Sequence, residues 1–169
     1  YYNVQTLDWT TLASAFKAQN WHDVGGDQTW GPVKFGQTLP TQSNSGLLTI
    51  TLLAYHYFNE ERGLTKAQAT DPKLWEFLSI FENAVNQFGH STGTHLSQDE
   101  IPDGPAYSDI IATYENLIVT LPKHPLTIYY PAVNILSDHP FAVLQGDWVT
   151  DEQKQAALIF RDYLLELPQ

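Results

Sequence analysis

The stretch Val33-Lys34-Phe35-Gly36-Gln37-Thr38-Leu39-Pro40-Thr41-Gln42-Ser43-Asn44-Ser45-Gly46-Leu47-Leu48 sets the fold class. Val33 to Gly36 reads as a short strand, and residues 37–46 read as a polar loop carrying one proline. From Leu47 to about Phe58 the chain is too uniformly apolar for a surface helix, which predicts a buried one. Strand, loop and buried helix in this order are the opening of an α/β unit. In sheets of that kind ligands gather beyond the carboxyl ends of the strands, which makes the 37–46 loop the expected ligand position.

Outward from this unit the pattern continues. Asp8 or Thr10 can cap a short helix that puts Leu12 and Phe16 on one face. Gly25-Gly26 and Gly31-Pro32 then punctuate an irregular, Trp-rich stretch. Thr65 with Gln68 forms a capping box, and Asp71-Pro72 pairs a cap with proline at the first helical position. Leu74, Leu78, Phe81, Val85 and Phe88 recur at helical spacing, so a helix is expected from there to a stop at Gly89.

Residues 90–104 read as loop, with a short turn starting at Ser97. Ile110 to Tyr114 is favoured as a buried strand. Leu126 to Tyr130 and Phe141 to Leu144 are rich in strand formers, and Thr150 with Gln153 caps a last helix expected to bury Ala157, Phe160 and Leu164. The expected fold class is therefore α/β, a mostly parallel sheet flanked by helices.

Composition narrows the function classes. The chain has 169 residues, 43% hydrophobic and 13% aromatic, enough for one packed core. Its net charge of −11 with no basic cluster argues against nucleic-acid and anionic-membrane partners. The apolar run Leu47–Ala54 is far short of the ~20 residues that span a bilayer, so the chain is not expected to be membrane-inserted. Cysteine is absent, which removes disulfides, thiolate metal sites and cysteine nucleophiles. Opening at Tyr1-Tyr2-Asn3 without a start residue, the chain is expected to be a processed or excised piece.

Candidate site residues follow from the loop. Ser43, Asn44, Ser45 and Gly46 lie where a helix start leaves backbone N–H groups unpaired, and Gly46 lets a ligand approach the backbone; that suits an anion or a carboxylate. The plain alternative is that Ser45 or Asn44 only caps the helix. Tyr114, Glu115 and Asn116 end the proposed strand and could project into the same cleft, or be a buried Tyr beside a solvated Glu.

His90, His95, His124 and His139 are the possible metal ligands, but no spacing among them fits a zinc pattern, and surface histidines are the simpler reading. Asp99, Glu100 and Asp103 could offer paired carboxylates for glycoside hydrolysis; a solvated acidic turn explains them better. No phosphate-cradling loop, dinucleotide fingerprint or Gly-x-Ser-x-Gly elbow occurs, so neither a cofactor nor an enzyme is expected. The aromatics between Trp21 and Trp30 would be interface anchors if exposed, and core otherwise.

A resemblance joins these pieces. Pro40, Ser45-Gly46, then Asp109-Ile110-Ile111-Ala112-Thr113-Tyr114-Glu115-Asn116, then Tyr130-Pro131 and Asp138-His139-Pro140-Phe141-Ala142-Val143 stand in an order that resembles the sulfate-binding branch of the type 2 solute-binding proteins. Trp30 to Gly36 together with Ser43 to Leu48 looks closer still to extracellular solute-binding domains encoded beside von Willebrand factor A modules. Two departures stand out: Leu47 and Leu48 replace the arginine of the sulfate branch, and two extra residues separate Pro40 from Ser45-Gly46.

The resemblance implies a two-lobed protein closing around a small solute, with Ser43, Ser45, Gly46 and Tyr114 facing the cleft and Glu115 and Asn116 on the hinge side. It implies a ligand-binding lobe over residues 1–125 and a return segment of the partner lobe over 126–169, with the family's first segment lying before Tyr1. An oxyanion or small carboxylate is the expected ligand, an extracellular or periplasmic location the expected setting, and a membrane transporter a possible partner. The alternatives left open are a divalent-metal-binding extracellular protein and an adhesion or protein-interaction module.

Overall fold

A computed structural model describes residues 5–100, 104–120 and 126–166 of the chain. The chain divides into two compact units, residues 1–135 and 136–169.

In the first unit, strand β1 (Gln5–Leu7) leads into helix α1 (Trp9–Ala18), whose start is fixed by Asp8: its carboxylate accepts from the Thr10 N–H at 3.2 Å. Trp9, Leu12, Ala13, Ala15 and Phe16 form the buried face, as the spacing of Leu12 and Phe16 requires. Two short 3-10 turns (Trp21–Val24 and Gln28–Trp30) follow, each opened by an Asn or Asp side chain accepting a backbone N–H.

Strand β2 is shorter than expected, Phe35–Gly36 rather than 33–36. Helix α2 (Asn44–Phe58) is the anticipated apolar helix; Leu52, Leu53 and Ala54 are buried, although Leu47 near its start stands exposed. Helix α3 (Lys66–Ala69) carries the full Thr65–Gln68 capping box. Helix α4 (Pro72–Glu82) begins with the Asp71 cap and Pro72.

The end of α4 corrects the periodicity reading. The helix stops at Glu82, and Val85 to Gly89 run alongside β2 instead, bridging Phe35 to Val85 and Thr38 to Gly89 in parallel. The Phe35 N–H donates to the Ala84 carbonyl at 2.9 Å, and the Leu39 N–H donates to the Gly89 carbonyl at 2.8 Å. Backbone pairing with β2 thus outcompetes continuation of the helix, since Val85 and Phe88 suit an extended edge as well as a helical face. Gly89 is needed for space rather than for a left-handed turn: a Cβ there would sit 2.3 Å from His95 Cγ.

Residues 90–104 are not simply loop. Helix α5 (Thr92–Thr94) continues as a π-type turn over His95–Glu100. Buried His95 and Leu96 hold it in place, and that packing leaves no apolar repeat in the sequence. Strand β3 is confined to Ile110–Ile111, and the backbone leaves it so that Tyr114 becomes the N-cap of helix α6 (Glu115–Val119), not the end of a strand. Strand β4 (Tyr129–Pro131) closes the first unit.

Among the described residues both strand pairings are parallel, β1 with β4 and β2 with β3. The fold is thus mixed α and β with short parallel sheet elements among predominantly helical structure. The core lies where α1, α2 and α4 meet β2. Phe81, with no exposed surface, is surrounded edge-on by Trp9, Phe16, Phe35 and Phe77, with ring centroids between 5.4 and 6.3 Å apart.

In the second unit, helix α7 (Asp151–Glu166) starts at the expected Thr150–Gln153 pair, whose side chains exchange bonds with each other's N–H groups. Two expectations fail here. Phe141 to Leu144 form no strand, for they have no neighbouring strand to pair with in this unit. The apolar residues of α7 are not buried: Ala157 is half-covered, while Phe160 and Leu164 are exposed, Phe160 touching only the ring of Phe141 among the aromatic contacts of this unit, at 6.2 Å. Among the described residues, no helix is long and apolar enough to cross a membrane.

Candidate functional site

The loop leaving β2 and the start of α2 border a hollow of about 450 Å³, open to the outside. Three chain segments meet there. Gln42 and Ser43 come from the β2–α2 loop and Asn44 from the start of α2, His90 to Gly93 from the entry to α5, and Tyr114 and Leu117 from the cap and body of α6. The parallel run of residues 85–89 and β3 on either side of β2 brings these three segments to the same end of the strands.

At the start of α2, Ser43 is the N-cap by backbone conformation, yet its side chain caps nothing. Ser91 before α5 and Tyr114 before α6 behave in the same way. The usual reason for Ser at a helix start, a hydroxyl closing onto the N2 or N3 amide, therefore does not apply at Ser43 or Ser91.

The Ser43 hydroxyl instead belongs to a cluster. Thr38 Oγ1 lies 2.7 Å from Ser45 Oγ, and Ser45 Oγ lies 2.6 Å from Thr92 Oγ1. Ser43 Oγ stands 3.3 Å from Thr92 Oγ1 and 3.4 Å from Ser45 Oγ. The Gly46 N–H donates to Thr38 Oγ1 at 3.0 Å. Gly46 itself has no room for a side chain, because a Cβ would come within 2.2 Å of the Thr38 carbonyl oxygen. Glycine is required here by close backbone approach of the strand-end loop, not by an approaching ligand.

On the facing side, Asn44 Nδ2 donates to Tyr114 Oη at 2.9 Å, and His90 Nδ1 pairs with Gln42 Oε1 at 2.6 Å. Among the described residues, none of the side chains bordering the hollow is a carboxylate, although the chain as a whole carries a charge of −11. A surface that offers hydroxyls and amides without a described carboxylate can accept a neutral or anionic solute without the repulsion that the rest of the protein would impose.

Of the residues expected at the site, Ser43, Asn44 and Tyr114 border the hollow. Ser45 and Gly46 lie buried directly behind it, so they shape the wall without facing the open space. Glu115 and Asn116 are exposed beyond Tyr114 and do not border it. Glu115 Oε1 accepts from the Tyr130 hydroxyl, linking α6 to β4, and that bond raises the Tyr130 pKa. Asp109 is structural: its Oδ2 accepts from the Lys34 N–H at 2.8 Å and from Trp21 Nε1 at 3.2 Å. Comparisons with protein-family models, with curated proteins and with solved structures each give no match.

Thr38, Gln42, Thr92 and His90 enter the site from outside the expected set. A usable signal did exist for Thr92: Ser91-Thr92-Gly93 is a second run of small polar residues ending in glycine, like Ser43-Asn44-Ser45-Gly46, and it too opens a helix. Among the described residues, no group of three or more His, Asp or Glu could hold a metal ion. Asp103 and His124 lie outside the described residues, as do the side chains of Asp99 and Glu100. His139 is exposed in the second unit. The Trp21–Trp30 region is mixed: Trp21 packs against the core while Trp30, edge-on to it at 5.9 Å, is 60% exposed.

Proposed function

We propose that this chain is the ligand-binding part of a type 2 extracellular solute-binding protein, and that it holds a small oxyanion or carboxylate noncovalently at the hollow bordered by Ser43, Asn44, Thr92 and Tyr114. The observation that carries the reading is the placement of the α2 start. It sits at the carboxyl end of a parallel strand, next to a hollow that, among the described residues, is bordered by hydroxyls and amides and by no carboxylate.

The ordered succession of Ser45-Gly46, Tyr114-Glu115-Asn116 and Tyr130-Pro131 agrees with the solute-binding resemblance, and the bond from Asn44, beside the first of these, to Tyr114 of the second supports the reading. In this reading the hollow is one wall of a cleft between lobes, the protein works outside the cytoplasm, and a membrane transporter receives the solute. Binding is its whole chemistry; no residue at the hollow is assigned a catalytic role.

Titration of isotope-labelled protein with acetate and with inorganic sulfate tests this directly. Amide resonances of residues 43–47, 91–94 and 114–116 are expected to move together and to saturate. Movement confined to other regions, or none, would remove the hollow as the binding site.

A further inference from the structure

The hydroxyl cluster has a direction, and that direction bears on which ligands the hollow accepts. A hydroxyl has one proton to give and two lone pairs to receive with. Thr38 is 1% exposed, and one lone pair of its Oγ1 is taken by the Gly46 N–H. Among the described residues, Ser45 Oγ is the one acceptor its proton can reach, at 2.7 Å. Leaving a buried hydroxyl proton unpaired is costly, so Thr38 donates to Ser45.

Ser45, 5% exposed, then has its own proton to place, and Thr92 Oγ1 at 2.6 Å is much nearer than Ser43 Oγ at 3.4 Å. Thr92 is left with a proton to direct at Ser43 or into the hollow, and Ser43 borders the hollow with a proton of its own. On the other side, Tyr114 Oη receives the Asn44 amide proton, which leaves the phenol proton to be given elsewhere. Both sides of the hollow therefore offer donors. Chains of this kind polarise one another, so the sense imposed at the buried end is felt at the open end.

We propose that Thr38, which touches no ligand, is a positioning residue: it fixes the sense of a Thr38-to-Ser45-to-Thr92 hydroxyl relay and so makes the hollow select ligands that only accept hydrogen bonds. The class is small, fully deprotonated anions such as carboxylates, chosen over neutral amides of the same shape, which must also place N–H protons. The inference rests on the hollow being the ligand site and adds what determines its selectivity.

The test compares acetate with acetamide, two ligands of nearly equal size, by resonance titration of the full chain. The native protein is expected to prefer acetate by roughly ten- to a hundredfold, the span of a lost hydrogen bond to a charged group. Thr38→Val removes the proton that sets the sense of the relay, so the preference is expected to fall close to unity, while Thr38→Ser keeps the hydroxyl and restores it. Thr92→Val, which removes the relay's outer hydroxyl, gives the same collapse and serves if the Thr38→Val chain does not fold. A preference for acetate that persists in folded Thr38→Val or in Thr92→Val overturns the relay while leaving the binding site intact. Absence of binding by either ligand to the native chain overturns both the relay and the site.

Discussion

Asn44 Nδ2 and Tyr114 Oη lie 2.9 Å apart, joining the first residue of α2 to the residue that opens α6 across 70 positions of sequence. This bond holds two walls of the hollow together, and it is exposed. A neutral hydrogen bond of this kind contributes about 0.5–1.5 kcal/mol, less where water competes. Asn44→Ala and Tyr114→Phe should each lower stability by no more than about 1 kcal/mol, and in a double-mutant cycle their effects should be less than additive. Both should weaken acetate binding far more than they weaken the fold. Chemical denaturation alongside ligand titration measures the two effects separately.

Gly46 tests the geometry behind the hollow. Its Cα faces the Thr38 carbonyl oxygen and the Pro40 nitrogen, both backbone atoms that cannot swing away. Gly46→Ala should cost about 1–3 kcal/mol or more through enforced separation of the loop from α2. A loss of under about 0.5 kcal/mol in urea unfolding would mean that the loop and helix do not sit this close.

How much of this could be read from the sequence depended on whether the deciding interaction was local. The starts of α1, α3, α4 and α7 were legible because each is set by a side chain two or three residues from the amide it satisfies: Asp8, Thr65 with Gln68, Asp71, and Thr150 with Gln153. The end of α4 was not legible. Val85 and Phe88 fit a helical face as well as they fit an edge, and only pairing with Phe35 and Thr38 decides between the two. Likewise Ser43, Asn44 and Tyr114 could be picked out as polar residues near element ends. Thr38 and Thr92 matter only because folding brings residues 38, 45 and 92 within hydrogen-bonding reach of one another.

Glu82 ends α4 half-buried beside Gln37, whose Nε2 donates to its Oε1. Burial raises its pKa above 4.5, more than the Gln37 bond lowers it. Between the unfolded and the raised folded value the native chain binds more protons than the unfolded one, so stability falls as pH rises through that window. Glu82→Gln keeps an acceptor for Gln37 and removes the ionisation. The variant should be more stable than the native chain at pH 7, with the gap closing on acidification to about pH 4. Denaturation midpoints across that range report it; a variant less stable at pH 7 would mean that the charge on Glu82 is favourable.

Phe81 anchors the core, with four aromatic neighbours and no exposed surface. Phe81→Ala should cost about 3–5 kcal/mol, a large part of the stability of a domain this size. Phe81→Leu should cost considerably less. Calorimetric unfolding of the two variants compares them, and equal losses would argue against close packing at this point.

The most direct test of the central claim, that the hollow beside Ser43 and Tyr114 captures a small anion, is the thermal unfolding midpoint against a panel of oxyanions, small carboxylates, small amides and divalent metal ions. A ligand that binds only the native state adds about 2.7 kcal/mol at a hundred times its Kd. The account predicts a saturable rise in midpoint with one or more of the oxyanions or carboxylates, lost in Tyr114→Phe combined with Thr92→Val, and no comparable rise with metals that a chelator reverses. No rise with any anion, or a rise with divalent metals alone, would contradict it.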